Sequence, residues 1–391
     1  MSRHDKITAI SSTISLSVQI GLRVLGFWPN TPCLLLFRCF WILSIITVQI
    51  YQYWWIIIHF KTDDMSYLMD SLSVTIEYTV MALKLTILWV NSRIFYDVLA
   101  AMAADWKEVT SNEVHIMTNK AILSRRFSNV IIGLHSVAVC CFGIEVLASH
   151  PDDVNGVETP VRAFTLKLQL PSRCNESPLY EVVLCLEFFY QLISSCVSGV
   201  LNSLLITLVL HVSGQIDIMR QGFKEISTKN NASRSSLTVI KNLINRHQKI
   251  IDLSDNIEDL FSNIALLQFI WNTLVICCIG FVIVISIGTE EGATMITKSL
   301  IFYVAITLEA FVFCYAGEYL SAKSKSISDA AYECFWYDLT PSECRVLMFL
   351  MLRSQKRLTI TAGKITDLSL EGFTTIMKSS ASYISVLSAL Y

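Results

Sequence analysis

Seven stretches long enough to cross a bilayer divide this chain, and its positive charges fall on alternate sides of them. A spanning helix needs about 20 mostly apolar residues. Stretches 34–58, 127–149, 179–212, 264–287, 295–317 and 365–390 meet that test, and 71–90 meets it by length, although Glu77 and Lys84 weaken its signal. Cytosolic segments of membrane proteins collect Lys and Arg. With the edge residues Arg38 and Lys298 given to the adjoining segments, 23 of the 30 basic residues fall on one side and 5 on the other, while Lys84 and Lys378 lie within spans. If 71–90 did not cross, the basic segments would no longer share a side. The charges therefore predict seven crossings, a cytosolic N-terminus and an extracellular C-terminus. Composition agrees: 53% of the 391 residues are hydrophobic and 16% charged, against about a quarter charged in a soluble domain. The fold class expected is all-α, one seven-helix transmembrane domain over 1–391. A net charge of −2 gives no reason to expect nucleic acid. Residues 1–13 are polar and no small-residue cleavage site follows the first apolar run, so no removable signal peptide is expected.

This orientation is opposite to that of G-protein-coupled receptors, the commonest seven-helix class. No Asp/Glu-Arg-Tyr follows the third span and no Asn-Pro-x-x-Tyr lies in the seventh. All seven prolines, Pro29, Pro32, Pro151, Pro160, Pro171, Pro178 and Pro341, fall in connections or at span edges. Sharp kinks generally need Pro, Gly/Ser or a bulge, so the proline-kinked helices of that class are not specified here.

Ahead of the first span, Ile7, Ile10, Ile14, Val18, Leu22 and Leu25 recur at helical spacing. They predict an amphipathic cytosolic helix within residues 1–30, ended by Trp28-Pro29. The one long outer loop is 150–178. On the inner side, 214–250 is polar and basic, yet Leu237, Ile240, Leu243, Ile244 and Ile250 keep a helical stripe. The fourth and fifth spans are expected to continue into the cytosol as long helices. Segment 318–364 has the same character, with Ala330, Ala331, Phe335, Trp336, Leu347, Phe349 and Leu350. Such stripes need partners, either one another or another subunit.

The twelve cysteines form neither a metal nor a disulfide framework. Most lie in spans, where Cys acts as a small hydrophobe. Cys174 and Cys185 lie near the outer face, and their spacing leaves open whether they pair. Of the sequons at Asn175 and Asn231, only Asn175 falls outside the cell in this topology. No His/Cys/carboxylate constellation has catalytic or metal-ligand spacing, so neither an enzyme nor a cofactor is expected. Glu77, Lys84, Glu145, Glu187 and Glu309 lie in or near the apolar zone. Intramembrane charges mark function or hold a bundle together, and the sequence leaves both open.

The last span is unusually polar. On a helical period Glu371, Thr375, Ser379, Ser382 and Val386 share one face, with Phe373, Ile376, Ile384 and Leu387 opposite. A polar stripe interrupted by an apolar ring suits a pore closed by dewetting. Ser and Thr are equally at home in a helix–helix interface. The outer segments hold 10 acids against 5 basic residues, which either concentrates cations at a mouth or makes ordinary solvated loops.

The C-terminal third resembles the insect odorant receptors. The residues that carry the likeness are Phe311, Cys314 and Gly317, then Ser328-Asp329-Ala330, Tyr332 and Trp336-Tyr337, then Arg353-Ser354-Gln355-Lys356-Arg357-Leu358 running into Thr359-Ile360-Thr361-Ala362-Gly363-Lys364. Leu368-Ser369-Leu370, Phe373, Lys378 through Tyr383, and Leu387 complete it. Leu22 through Pro29 is similar to the family's pre-membrane signature. Gustatory receptors end their last helix with a Tyr and a Gln-Phe pair. Here Ala389-Leu390 stands after Tyr383. The short 214–250 loop is unlike that of the shared co-receptor.

The resemblance implies a ligand-tuned subunit of a non-selective cation channel, assembled with odorant co-receptor subunits as a heterotetramer. It implies residence in the plasma membrane of an olfactory neuron dendrite, in contact with membrane lipid. It makes 318–364 an inter-subunit anchor and 365–391 the pore helix, with Val386 at the gate, Tyr383 beside it, and Ser382, Ser379 and Thr375 along the wall. It places a small volatile odorant in an apolar pocket among spans two, three, four and six. Orienting those spans gives Val74, Tyr78 and Met81, then Val137, Cys141 and Ile144, then Phe188, Tyr190 and Gln191, then Phe302, Tyr303 and Ile306. A G-protein-coupled chemoreceptor and a gustatory-type channel are the alternatives.

Overall fold

A computed structural model of the protein describes residues 14–28, 34–60, 65–148, 164–228, 236–288 and 292–390. The first part of the predicted N-terminal helix, up to residue 13, residues 150–163 of the 150–178 loop with Pro151 and Pro160, the Asn231 sequon and the Glu145 side chain lie outside the described residues. Ten α-helices and one small hairpin make up the described chain. They are α1 (Leu16–Val24), α2 (Leu34–His59), α3 (Met65–Val90), α4 (Ser92–Glu108), α5 (Val114–Ala148), α6 (Leu179–Thr228), α7 (Ser236–Ser286), α8 (Gly292–Glu333), α9 (Pro341–Ser354) and α10 (Leu370–Leu390). Helices α2, α3, α5, α6, α7 and α8 are each long and apolar enough to cross a membrane by length and composition. α10 is long enough at 21 residues, and its polar stripe is what sets it apart.

α6 and α7 run for 50 and 51 residues. At 1.5 Å per residue each is roughly 75 Å long, more than twice the hydrocarbon thickness. Both therefore continue well past the apolar zone at the predicted cytosolic end, as does α8. There the apolar stripes pack mainly against one another. Ile240, Leu243 and Ile250 of α7 are buried, as are Ala330 and Ala331 of α8 and Leu347 and Leu350 of α9. Tyr332, Phe335, Trp336, Tyr337 and Phe349 stay exposed. Asp217 knots three helices at this end, 2.8 Å from Lys323 of α8 and 3.0 Å from Lys120 of α5. Burial works to raise the Asp217 pKa, but the two ammonium groups outweigh it and hold it below the usual carboxylate range. α9 begins with a capping box: Thr340 Oγ1 accepts from Glu343 N, and Glu343 Oε2 accepts from Thr340 N at 3.0 Å.

α1 lies against α6 and buries Val18, Leu22 and Leu25. It stops at Gly26 rather than at Trp28-Pro29. Gly26 takes φ +69°, and Phe27 N donates to Leu22 O at 2.8 Å, the arrangement that ends a helix with a left-handed glycine. The exposed carbonyls are met by indoles: Trp41 Nε1 donates to Val24 O at 3.0 Å and Trp89 Nε1 to Leu25 O at 3.2 Å. α4 is an amphipathic helix that hydropathy did not single out. Its Phe95, Val98, Leu99, Met102 and Ala103 are buried at helical spacing.

The last span also begins later than expected. Residues 361–367 form a hairpin, β1 (Thr361–Ala362) and β2 (Thr366–Asp367), in which Ala362 pairs with Thr366. Gly363 and Lys364 both have positive φ, at 63° and 60°, the condition for the tight turn that joins two strands. The hairpin hooks onto α7: Thr361 N donates to Glu258 Oε2 at 2.7 Å, Gly363 N to Ser262 O at 2.9 Å, and Lys364 Nζ to Asp259 Oδ1 at 2.9 Å. It thereby fixes where α10 starts. A Cβ on Gly317 of α8 would sit 2.5 Å from Leu368, so only glycine lets the chain leave the hairpin this close to α8.

Candidate functional site

α3, α5, α6 and α8 surround a cavity of about 140 Å³. From α3 come Val74, Glu77, Tyr78 and Met81; from α5, His135, Ala138, Val139 and Phe142; from α6, Gln191, Ser194, Ser195 and Ser198; from α8, Lys298, Phe302, Ala305 and Ile306. Each set recurs at three or four residues, one helix face turned inward. Thr165 and Leu166 of the outer loop close one side. Buried Glu187 of α6 holds them there: its Oε2 accepts from Thr165 Oγ1 at 2.9 Å, Thr165 N at 3.1 Å and Leu166 N at 3.3 Å. Beside the cavity, Lys84 Nζ lies 2.7 Å from Glu309 Oε1.

Of the twelve residues proposed for the ligand, Val74, Tyr78, Met81, Gln191, Phe302 and Ile306 line this cavity. Tyr190 stacks on Tyr78 with ring centroids 5.6 Å apart. Phe188 lies over Gly143, and Tyr303 packs beside the cavity in an apolar cluster with Ile76 and Phe269 that also includes Phe302 and Ile306. Val137 and Ile144 are exposed on the outside of α5 and Cys141 is half-buried. Asn175 is exposed in a short 3₁₀ turn, Ser172–Asn175. Cys174 and Cys185 are free thiols.

α10 packs on α7 and α8 through one face. Ile376 is 2% exposed, Ser380 Oγ donates to Thr273 O of α7 at 3.2 Å, and Ile384 presses against Gly280, where a Cβ would collide with it. The other face is largely exposed among the described residues. Val386 is 56% and Tyr383 55% exposed, Thr375 and Ser382 are exposed, and Ser379 is half-buried at the edge of the stripe.

Residues 64–381 match the sequence profile of the 7tm Odorant receptor family. The chain belongs to that family. Odorant receptor 67c of Drosophila melanogaster is 26% identical over 188 residues, and Odorant receptor 13a of the same fly 28% identical over 197. These matches span 45% and 47% of those proteins, about half their length. Odorant receptor Or2 of Anopheles gambiae aligns over 96% of this chain and 98% of its own length at 22% identity. The olfactory receptor OR5 of Machilis hrabei has the same fold, with a TM-score of 0.74 at 14% identity, covering 96% of this chain and 97% of that one. It has also been solved in complex with eugenol.

Membership of this odorant receptor family makes the chain a multi-pass membrane protein. It also gives the quoted motifs physical content. Gly317 and the Thr361–Lys364 run are where α8, the hairpin and the start of α10 meet. The cavity residues on α5, His135, Ala138, Val139 and Phe142, were missed in sequence. His135 is the one that a search for polar groups inside spans would have picked out.

Proposed function

We propose that this chain is the odorant-tuned subunit of a ligand-gated, non-selective cation channel in the plasma membrane of an olfactory neuron dendrite. A small volatile occupies the cavity among α3, α5, α6 and α8. One α10 from each subunit lines a central pore, with Val386 as its apolar constriction, Tyr383 beside it, and Ser382, Ser379 and Thr375 along the wall. Co-receptor subunits complete a heterotetramer, and the exposed aromatics around Trp336 in the 318–364 anchor meet neighbouring subunits near the cytosolic face.

The observation that carries this reading is the division of α10. Its apolar face packs on α7 and α8, while its polar face, with Val386 set into it, stands exposed among the described residues. A lone polar stripe at membrane depth must meet water or other subunits, and a pore supplies both. The family, and the eugenol complex of Machilis hrabei OR5, support a small apolar ligand.

Current recordings from cells expressing this chain with and without a co-receptor, against a panel of volatiles, test the proposal. Odorant-evoked cation current that needs this chain is the expected result. A surface-expressed complex that stays silent, or responds only through added G proteins, refutes it. Tags report the orientation: one at the N-terminus is expected to label only after permeabilisation, and one after Tyr391 on intact cells. The reverse pattern would favour the G-protein-coupled reading.

A further inference from the structure

The cavity is mostly apolar, and several of its polar groups are spoken for. Ser195 Oγ donates to His135 O at 2.9 Å. Lys298 Nζ is 2.9 Å from Asp70 Oδ2, and Thr165 Oγ1 is committed to Glu187. Glu77 stands apart as the one carboxyl group among the residues that line the cavity. Its carboxyl lines the cavity, and among the described residues none hydrogen-bonds or ion-pairs with it. Lys84 shares its helix face and its electrostatic neighbourhood, but the Lys84 ammonium is held at 2.7 Å by Glu309. Two carboxyl groups thus share one ammonium, and the partner left over is the one facing the ligand.

From this we infer that the ligand carries a hydrogen-bond-donating head, O–H or N–H, on a small apolar body, and that Glu77 is the acceptor that selects for it. The inference rests on the reading of the chain as an odorant-gated subunit. A buried acceptor without a donor is costly, and more so when charged. A ligand that brings the donor removes that cost, whereas one that brings only carbons leaves it standing. A site built around a hydrogen bond therefore rejects the analogue that lacks the donor far more strongly than an apolar pocket rejects one missing methylene. Size bounds the body. The cavity is about 140 Å³, close to the engineered apolar cavity of about 150 Å³ that takes up benzene. A single ring or a short chain fits. Alcohols, phenols and amines share the chemistry; a protonated amine adds charge attraction to the same contact.

The test uses two matched series, benzyl alcohol, benzylamine and benzyl methyl ether, and hexanol, hexylamine and hexyl methyl ether, applied to cells expressing this chain with its co-receptor. In at least one series the alcohol or amine is expected to activate at concentrations about tenfold or more below those of the ether. Glu77→Leu is expected to abolish that preference and to improve the response to the ether. Glu77→Gln, which keeps the shape and a carbonyl acceptor, should retain a preference for the alcohol but lose any advantage of the amine. That variant separates the two head groups and guards against a folding defect in Glu77→Leu, as does surface labelling of both. Equal potency of ether and alcohol in the native complex overturns the inference, and so does a preference that survives Glu77→Leu. A channel opened only by carbonyl compounds or hydrocarbons overturns it too, while leaving the receptor reading intact. Silence of a surface-expressed complex to every volatile counts against that reading, and the inference falls with it.

Discussion

Lys84 and Glu309 meet with about 1% of either side chain exposed, so neither charge has water to turn to once its partner is gone. Breaking a buried ion pair from one side costs about 3–5 kcal/mol, because the remaining charge stays buried alone, whereas replacing both ends with apolar groups is often neutral. Lys84→Met should therefore sharply lower the melting temperature of the detergent-solubilised complex, and Lys84→Met with Glu309→Leu should recover most of the loss. A double variant no more stable than the single one would mean that the pair holds nothing together. The sequence showed that Glu77, Lys84 and Glu309 were intramembrane charges but not how they pair. Glu77 and Lys84 share a face of α3, and helix spacing stops there. The partner of Lys84 stands 225 residues away on α8, and only packing brings it near. The same limit governs the cavity. On α3 the inward face could be approached from topology, because its polar and apolar sides differ. Between Phe127 and Ala148, α5 carries apolar residues all round, so the apolar pattern does not mark which side turns inward, and the polar ring of His135 was the local sign that could have. Hence Val137 and Ile144 face outward while Ala138, Val139 and Phe142 face the cavity.

Helices that long apolar runs or regular stripes announce were legible, including the reach of α6 and α7 beyond the apolar zone. The hairpin at 361–367 was not, because two-residue strands have no period to read and an apolar window merges them with the helix that follows. Its role gives a prediction: Gly317→Val should force α8 and Leu368 apart, since backbone as well as side chain stands within 2.5 Å of the new Cβ. Overpacking of this kind costs roughly 1–3 kcal/mol and more where backbone must move. Because the strain falls at the start of α10, assembled complex on native gels should drop more than total protein. Equal loss of both would mean that the contact only supports folding. A second prediction concerns the α7–α9 contact. His247 is buried there, and burial, helped by the charge of Arg353, lowers its pKa from 6.5 to about 4. The unfolded chain then takes up the proton first as pH falls, so stability is lost from about pH 6.5 downward and the loss is complete below about pH 4. The shift sets an upper limit of about 3 kcal/mol. Melting of the purified complex from pH 7.5 to 4.5 should show this slope, and His247→Gln should flatten it. An unchanged slope in that variant would assign the acid sensitivity elsewhere, with the Asp217 cluster the next place to look.

At the scale of the whole molecule, two surfaces stand exposed: the aromatics at the predicted cytosolic end and the outer face of α10. Ligand cavity and α10 do not touch. α8 joins them, since Phe302 and Ile306 line the cavity while Phe311, a few residues on, meets Phe373 of α10 edge-on at 5.6 Å. In the proposed channel a ligand moves the equilibrium only as far as it prefers the open state to the closed one, so the closed constriction would have to hold by itself. An apolar ring does this because hydrated cations do not shed water to enter it and no oxygen ligand replaces that water. Val386, exposed on the polar face of α10, is the residue to change. Val386→Ser should wet the ring, raise the current that flows without odorant and alter ion selectivity or block. The rise should be partial, because in the proposed heterotetramer co-receptor subunits contribute ring residues of their own. Leu387 is the control. It is half-buried one residue round the helix, so Leu387→Ser should reduce surface expression without opening the channel. If Val386→Ser leaves basal current, selectivity and block unchanged in a well-expressed complex, the constriction lies elsewhere. If Leu387→Ser instead raises the basal current, α10 is rotated in the assembly so that the face packed in the single chain turns toward the ions.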